Sequence, residues 1–519
     1  MRISINATRG FYLAFIASFL GLILVFPISH SGDGWGYAAD TLEYQNKLIS
    51  LLSPHHLLYM PWCALWFPIF QFLHIDPMAG FTFLNFTLAV ATLEVIRKWL
   101  LTLQVKLSLI QPLIWILLGS FGILRFALDN ETYIVPLFLA VTGSFLLGNH
   151  DRRSNALGWF ALTFSVLFHQ SYIFWFASFA AHYVLKRKWI FPLLSSLFIV
   201  AFYTVCSQAV GSPSVLTFVL HDVQDGLVST TIGPNNFLFT GINVCRTVFQ
   251  IHGSALYIIK GWMFLSIMGL GGLLLSLVSL FRFCKGDFKN FKVPSIRKRL
   301  SLLKAMPMFW AMLLQLGFAF YSVGNAEFMV MLLPMSIILM AKLGWFSREG
   351  LNHTQLNGIS LGMWVYHGVF VILPLFLGSF SDIETTAQLI TQQSQFSNPK
   401  DSVLFISNQS KAIENACEYS WRTSNLEVPK NLIFNQASSE KDFEQIVQLT
   451  TRKIISTYTD ETIIKKVSPF NRAKLSENAE IAQWMQTQSW SKFQTNRISS
   501  PFREIAVYQL EPKATPNPH

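Results

Sequence analysis

Apolar runs long enough to cross a bilayer as helices recur along roughly the first 380 residues of this chain, with short clusters of lysine and arginine between them. A hydrocarbon core takes about 20 apolar residues as helix, and within it every backbone polar group must be bonded internally. The pattern therefore restricts this part of the chain to an α-helical polytopic membrane bundle. Only 13% of the residues are charged and 52% are hydrophobic, whereas a soluble protein carries about 25% charged residues. The net charge of +11 is divided among loops between the runs. That is the positive-inside pattern, and it argues against a nucleic-acid partner.

Charge placement then sets the path of the chain. Arg2 and Arg9 put the N-terminus in the cytoplasm, and the first run (10–28) lacks a small-residue cleavage site, so it reads as a retained helix. A first outer loop, 29–78, follows. If 57–74 and 79–96 both crossed, Arg97, Lys98 and Lys106 would lie outside, against the rule. The run 57–74 is rich in Trp and Phe and broken by Pro61 and Pro68, so it is read as a helix lying at the interface. Further helices are expected at 79–96, 107–124, 133–148, 189–206, 257–281, 305–322, 328–343 and 358–378. The stretch 157–185 is too long for one crossing and has His169-Gln170 at its middle, so two short helices are expected there. The total is about eleven crossings, with a long outer loop at 207–255 containing Arg246.

Near residue 379 the composition turns polar, and apolar bursts such as SVLFIS, NLIFN and EIAVYQL alternate with polar stretches. This predicts a transmembrane domain, 1–378, and a small extracytoplasmic α/β or α+β domain, 379–519. The five cysteines show neither paired nor metal-type spacing; a Cys206–Cys245 bridge across one outer loop is one option.

Four polar islands fall on the same outer side. The first, 31–59, carries Asp33, Tyr37, Asp40 and Glu43, then His55 and His56; the others are Asp129-Asn130-Glu131, His169-Gln170, and Asn325-Ala326-Glu327. Each lies at a helix end, where acids and imidazoles can line a cavity without facing lipid, since taking a carboxylate from water costs several kcal/mol unless it is paired. Each also has a plainer reading. Asp129 to Glu131 can cap the following helix, His169-Gln170 can be a turn, Asn325 and Glu327 can be a solvated loop, and Tyr37 can be an interfacial anchor.

In their order, these motifs resemble the GT-C class of polytopic glycosyltransferases, the class of the lipid A aminoarabinose transferases and the protein O-mannosyltransferases. GDGWGYAADTLEY is similar to the acidic motif after the first helix, with Asp33 at the catalytic-acid position and Tyr37 four residues on; Gly34 stands where a second acid is common. SPHHLLYMPW is similar to the proline-rich opening of the surface helix, with His55 and His56 replacing a lysine and a proline. LRFALDNETYIVPLFL resembles the second motif, carried by Asp129 and Glu131.

The resemblance implies an inverting transfer of a sugar from a polyprenyl-phosphate donor to an acceptor hydroxyl of a glycan, lipid or protein, on the outer face of a membrane. Asp33 would be the general base. His55, His56, Arg125 and Arg246 would meet the phosphate charge. A divalent ion, Mg or Mn, on Asp33 with Asp129 or Glu131 is a further option. His169, Gln170, Asn325 and Glu327 would line the sugar or lipid-phosphate pocket, and Tyr37, Asp40 and Asn130 complete the expected substrate-binding set. A bacterial inner membrane is the expected location. A transporter or flippase of an amphiphile and a non-catalytic membrane scaffold are the competing readings. The polar residues gather at helix ends on one face rather than at mid-membrane, which disfavours transport.

Overall fold

The structure is a computed structural model that describes residues 2–220 apart from 27, 29, 45 and 150; 233–250; 258–288 apart from 260; 306–321; 326–347; and 353–376. In the C-terminal part it describes 387, 390–391, 403–406, 410–424, 432–435, 453–456, 490–499 and 504–512. The principal helices begin with α1 (Arg2–Val25), α2 (Gly32–Tyr44), α3 (Tyr59–Phe72), α4 (Pro77–Thr102), α5 (Leu107–Gly119), α6 (Phe121–Ala127), α7 (Ile134–Leu147) and α8 (Arg152–Phe168). They continue with α9 (Ile173–Leu185), α10 (Ile190–Ala209), α11 (Val215–Val219), α12 (Pro234–Val248), α13 (Met263–Phe288), α14 (Pro307–Tyr321), α15 (Leu332–Lys342), α16 (His353–His367) and α17 (Ser410–Thr423). By internal contacts the chain divides into two units: 1–26, 44–251 and 264–372 form one, and 27–43, 252–263 and 373–519 form the other.

The first unit is helical. Among the described residues, four segments are long and apolar enough to span a bilayer: α4, α10, Met263–Lys285 and His353–Phe376. Ala14–Val25, α7 and α14 are shorter apolar helices. Helix α3 has 14 residues, about 21 Å at 1.5 Å per residue, which is short of a hydrocarbon core of about 30 Å. The segment 157–185 is two helices, α8 and α9, with His169 between them. Small residues set the closest helix approaches. A Cβ at Gly272 of α13 would lie 2.7 Å from the carbonyl of Gly362 on α16, so these backbones meet only because neither residue has a side chain.

Two expectations need correction. The run 107–124 is not one helix: α5 and α6 meet at an angle of 61°. Ser120 sits between them in extended conformation and its hydroxyl donates to the Leu117 carbonyl at 2.6 Å. The carbonyl of Gly119 instead accepts from Nδ1 of His367 at 2.6 Å, and Nε1 of Trp364 donates to the Trp115 carbonyl at 3.0 Å. Helix α16 thus supplies donors where the ladder stops, which is how a broken helix is tolerated in apolar surroundings. Hydropathy carries no record of such a bend. Likewise 207–255 is not simply a loop, because it holds α11 and the 15-residue α12, on which Arg246 sits. Cys206 and Cys245 are free thiols, as are the other three cysteines.

The second unit combines α2, α17 and a mixed five-stranded sheet. The strands are β1 (Val403–Ile406), β2 (Leu432–Asn435), β3 (Lys453–Ser456), β4 (Trp490–Ser499) and β5 (Glu504–Pro512), in the order β2-β1-β3-β5-β4. Strand β1 runs parallel to β2 and β3, and β5 is antiparallel to β3 and β4. The parallel β1–β2 pair requires a crossover, and α17 lies between these two strands in sequence. Ser31 directly precedes helix α2 and its hydroxyl accepts from the backbone N–H of Gly34 at 2.9 Å, and Asp33 in the first turn is favoured by the helix dipole.

Candidate functional site

The turn between α6 and α7 is a densely bonded polar element of the first unit. Asp129, Asn130, Glu131 and Thr132 are each at most 3% exposed. Burying a carboxylate there demands a partner. Arg125, one helical turn earlier, supplies it with Nη2 at 2.7 Å from Oδ2 of Asp129. The other oxygen, Oδ1, accepts from the backbone N–H of Asn130 at 2.8 Å. The turn is also fastened from two other helices. Nδ2 of Asn85 on α4 donates to the carbonyls of Asp129 at 2.8 Å and Glu131 at 3.0 Å. The hydroxyl of Tyr59 on α3 donates to Oδ1 of Asn130 at 2.8 Å.

Tyr133, at the end of this turn, connects it to a second cluster. Its hydroxyl donates to Oε2 of Glu327 at 2.7 Å, and its ring centroid lies 4.8 Å from that of His169. The imidazole of His56 is 4.6 Å from that of His169 and 6.2 Å from that of His55. The side chains of His55 and Gln170 are hydrogen-bonded to each other. Backbone bonds keep this set together: Gln170 N–H to the His55 carbonyl and Leu58 N–H to the Leu167 carbonyl, both at 3.1 Å. Nδ1 of His169 accepts from the N–H of Ser171 at 3.2 Å, while its Nε2 is buried without a hydrogen-bond partner. Burial, reinforced by the neighbouring imidazoles of His56 and His55, holds His169 well below the ordinary imidazole range. Arg246 is braced by Gln250 at 2.8 Å and Asn243 at 3.1 Å, and lies within electrostatic reach of Glu327.

In the second unit, Asp33, Tyr37 and Asp40 occur at i, i+4 and i+7 on α2, which places them on one face. Asp33 and Asp40 are exposed and Tyr37 is half-buried, while Gly34, Ala38 and Thr41 on the adjoining face are buried.

No family model matches this sequence, and no curated protein matches it. Solved structures do. ArnT from Cupriavidus metallidurans bound to undecaprenyl phosphate aligns with a TM-score of 0.54 at 11% identity, over 96% of this chain and 98% of that one. The apo state of the same enzyme gives 0.48 at 12% identity, over 97% and 98%. The archaeal oligosaccharyltransferase AglB from Archaeoglobus fulgidus, in complex with an inhibitory peptide and a dolichol-phosphate, gives 0.41 at 12% identity, over 96% and 74%. The chain has the GT-C fold.

Within that GT-C fold the expected residues fall into three groups. Arg125, Asp129, Asn130 and Glu131 belong to the buried turn; His55, His56, His169, Gln170, Glu327 and Arg246 belong to the imidazole cluster and its margin; Asp33, Tyr37 and Asp40 belong to α2. Asn325 lies outside the described residues. Asn85, Tyr59 and Tyr133 were missed. Asn85 left the one available signal, a primary amide in the middle of the apolar run 79–96, where an unbonded polar group would be costly.

The expected metal set does not fit. The carboxylate of Asp129 is already divided between Arg125 and the Asn130 N–H, and among the described residues no three His, Cys, Asp or Glu side chains group so as to hold an ion.

Proposed function

We propose that this chain is a membrane glycosyltransferase that moves a sugar from a polyprenyl-phosphate donor to an acceptor hydroxyl, with inversion, on the outer face of the membrane. The observation that carries the reading is the match of fold over 96% of this chain and 98% of ArnT from C. metallidurans, a protein solved with undecaprenyl phosphate. The acceptor oxygen attacks the anomeric carbon as the bond from that carbon to the phosphate oxygen breaks. The polyprenyl phosphate leaves with the bonding pair, and the acceptor proton passes to a carboxylate. Asp33 is the proposed base, since its carboxylate is exposed in the first turn of α2.

The leaving phosphate gathers negative charge and needs cationic or hydrogen-bonding groups already in place. Arg246, His55 and His56 are proposed for that task. Arg125 and Asp129 are proposed to hold the turn carrying Asn130 and Glu131, which with Tyr37, Asp40, His169, Gln170, Asn325 and Glu327 would line the donor and acceptor subsites. The accompanying topology is about eleven crossings, a cytoplasmic N-terminus, an extracytoplasmic domain at 379–519 and a bacterial inner membrane.

The test is release of label from a panel of radiolabelled polyprenyl-phosphate sugars by the purified protein, beside Asp33→Asn and with or without EDTA. Wild type is expected to release one sugar, with Asp33→Asn slower by on the order of a hundredfold or more. Full turnover by Asp33→Asn would remove Asp33 as base but keep the class. Loss of turnover in EDTA would restore a metal to the site. Release from none of the donors by folded protein would leave the transporter or the scaffold.

A further inference from the structure

Helix α2 meets α17, a helix from the C-terminal part of the same unit, through side chains near its start and at its end. Glu43 Oε2 accepts from Nη2 of Arg422 at 2.7 Å. The rings of Trp35 and Tyr419 are 5.1 Å apart. A Cβ at Gly36 would lie 2.8 Å from Nδ2 of Asn415, so the helices touch where α2 has no side chain. These contacts form a pattern. Trp35, Ala39 and Glu43 are spaced i, i+4, i+8 on α2, with Ala39 buried, and Asn415, Tyr419 and Arg422 are spaced i, i+4, i+7 on α17. Gly36 to Glu43 and Asn415 to Arg422 are the same step along the two helices, so they run side by side in the same direction. The gripped stripe adjoins the Asp33-Tyr37-Asp40 face, and Asp40 lies within electrostatic reach of Lys411 and Arg422 on α17.

We infer that α17 is a positioning element for the acid-bearing helix, with Arg422 and Glu43 as the positioning pair that fixes the rotation of α2 and so the direction of its acidic face. The role in turnover rests on the transferase reading; the hold of α17 on α2 does not. A half-buried ion pair tolerates removal better than reversal, because reversal sets like charges against each other in the same place.

Hydrogen exchange across residues 32–44 and steady-state kinetics would be measured on the full chain carrying Arg422→Glu, Glu43→Arg, both together, and Arg422→Lys. Each single reversal is expected to speed exchange in 32–44 and lower kcat about five- to tenfold at unchanged donor KM. The double reversal is expected to bring both back to within about threefold of wild type, and Arg422→Lys to fall between. Exchange unchanged by either reversal, or a double variant no better than the singles, would overturn the inference. A fall in donor affinity with kcat intact would also overturn it, since that is the mark of a binding defect rather than a misdirected acid. If wild type turns over no donor, the transferase reading fails, and the exchange data alone still decide whether α17 holds α2.

Discussion

The turn at 128–133 and helix α2 both present acids beside a tyrosine, yet they treat those acids oppositely. In the turn, Asp129 and Glu131 are buried, and the backbone around them is tied to three helices through Arg125, Asn85 and Tyr59. On α2, Asp33 and Asp40 stand exposed on a helix that α17 grips along the adjoining stripe. A buried paired carboxylate cannot change its proton without disturbing its neighbours, whereas a solvated one can accept and release a proton in each cycle. On the proposed reading, the difference separates acids that hold a shape from acids that take part in the reaction.

The comparison breaks most readily at Arg125. Arg125→Ala leaves the Asp129 carboxylate buried beside a void, and the loss expected is about 3–5 kcal/mol, read as a large drop in the thermal midpoint in detergent. An unchanged midpoint would mean that the turn is not a structural anchor. Asn85→Ala comes next, because it strips the carbonyls of Asp129 and Glu131 of a shared donor, for about 1–3 kcal/mol; chemical denaturation would measure it.

The imidazole cluster gives a pH test. His169 is held below the ordinary imidazole range, so below about pH 6.5 the unfolded chain takes up a proton that the folded chain refuses. The stability contribution is whole above that pH and declines as pH falls through it. His169→Phe should therefore show a smaller drop in midpoint than wild type between about pH 7.5 and about pH 5.5. Equal drops would assign the acid sensitivity elsewhere. The smallest effect is expected on α2 itself, where Asp40→Asn should change stability by no more than about 0.5 kcal/mol. A larger loss would show that the acids of the helix are structural after all.

Much of this organisation can be read from residues alone. The separation of α8 from α9 follows from the length of 157–185 and its polar midpoint, and the motif around Asp129 stands out as an acid pair after an arginine between apolar runs. Other features leave no local trace. The 61° bend at Ser120 lies inside a run that reads as a single apolar stretch, and the groups that make it tolerable, Trp364 and His367, come from far along the chain. Asn85 looks like an isolated polar residue until the turn it holds is in view. Arg246 can be singled out as the one clear cation of 207–255, but composition does not reveal that it rides on a helix. The partnership of α2 with α17 is out of reach for any local pattern, because its two ends are 379 residues apart.

That separation also bears on how the molecule is made. A ribosome adding about 5–20 residues per second completes the acidic helix roughly 20–75 s before the helix that will grip it. Through that interval α2 is a nascent segment without its clasp, while the early apolar helices can already enter the bilayer. A product cut short before residue 410 would carry the acids and the bundle but never the clasp. On the proposed role of α17, activity then arrives only after the chain has been extended past residue 423, long after the acidic helix has been made.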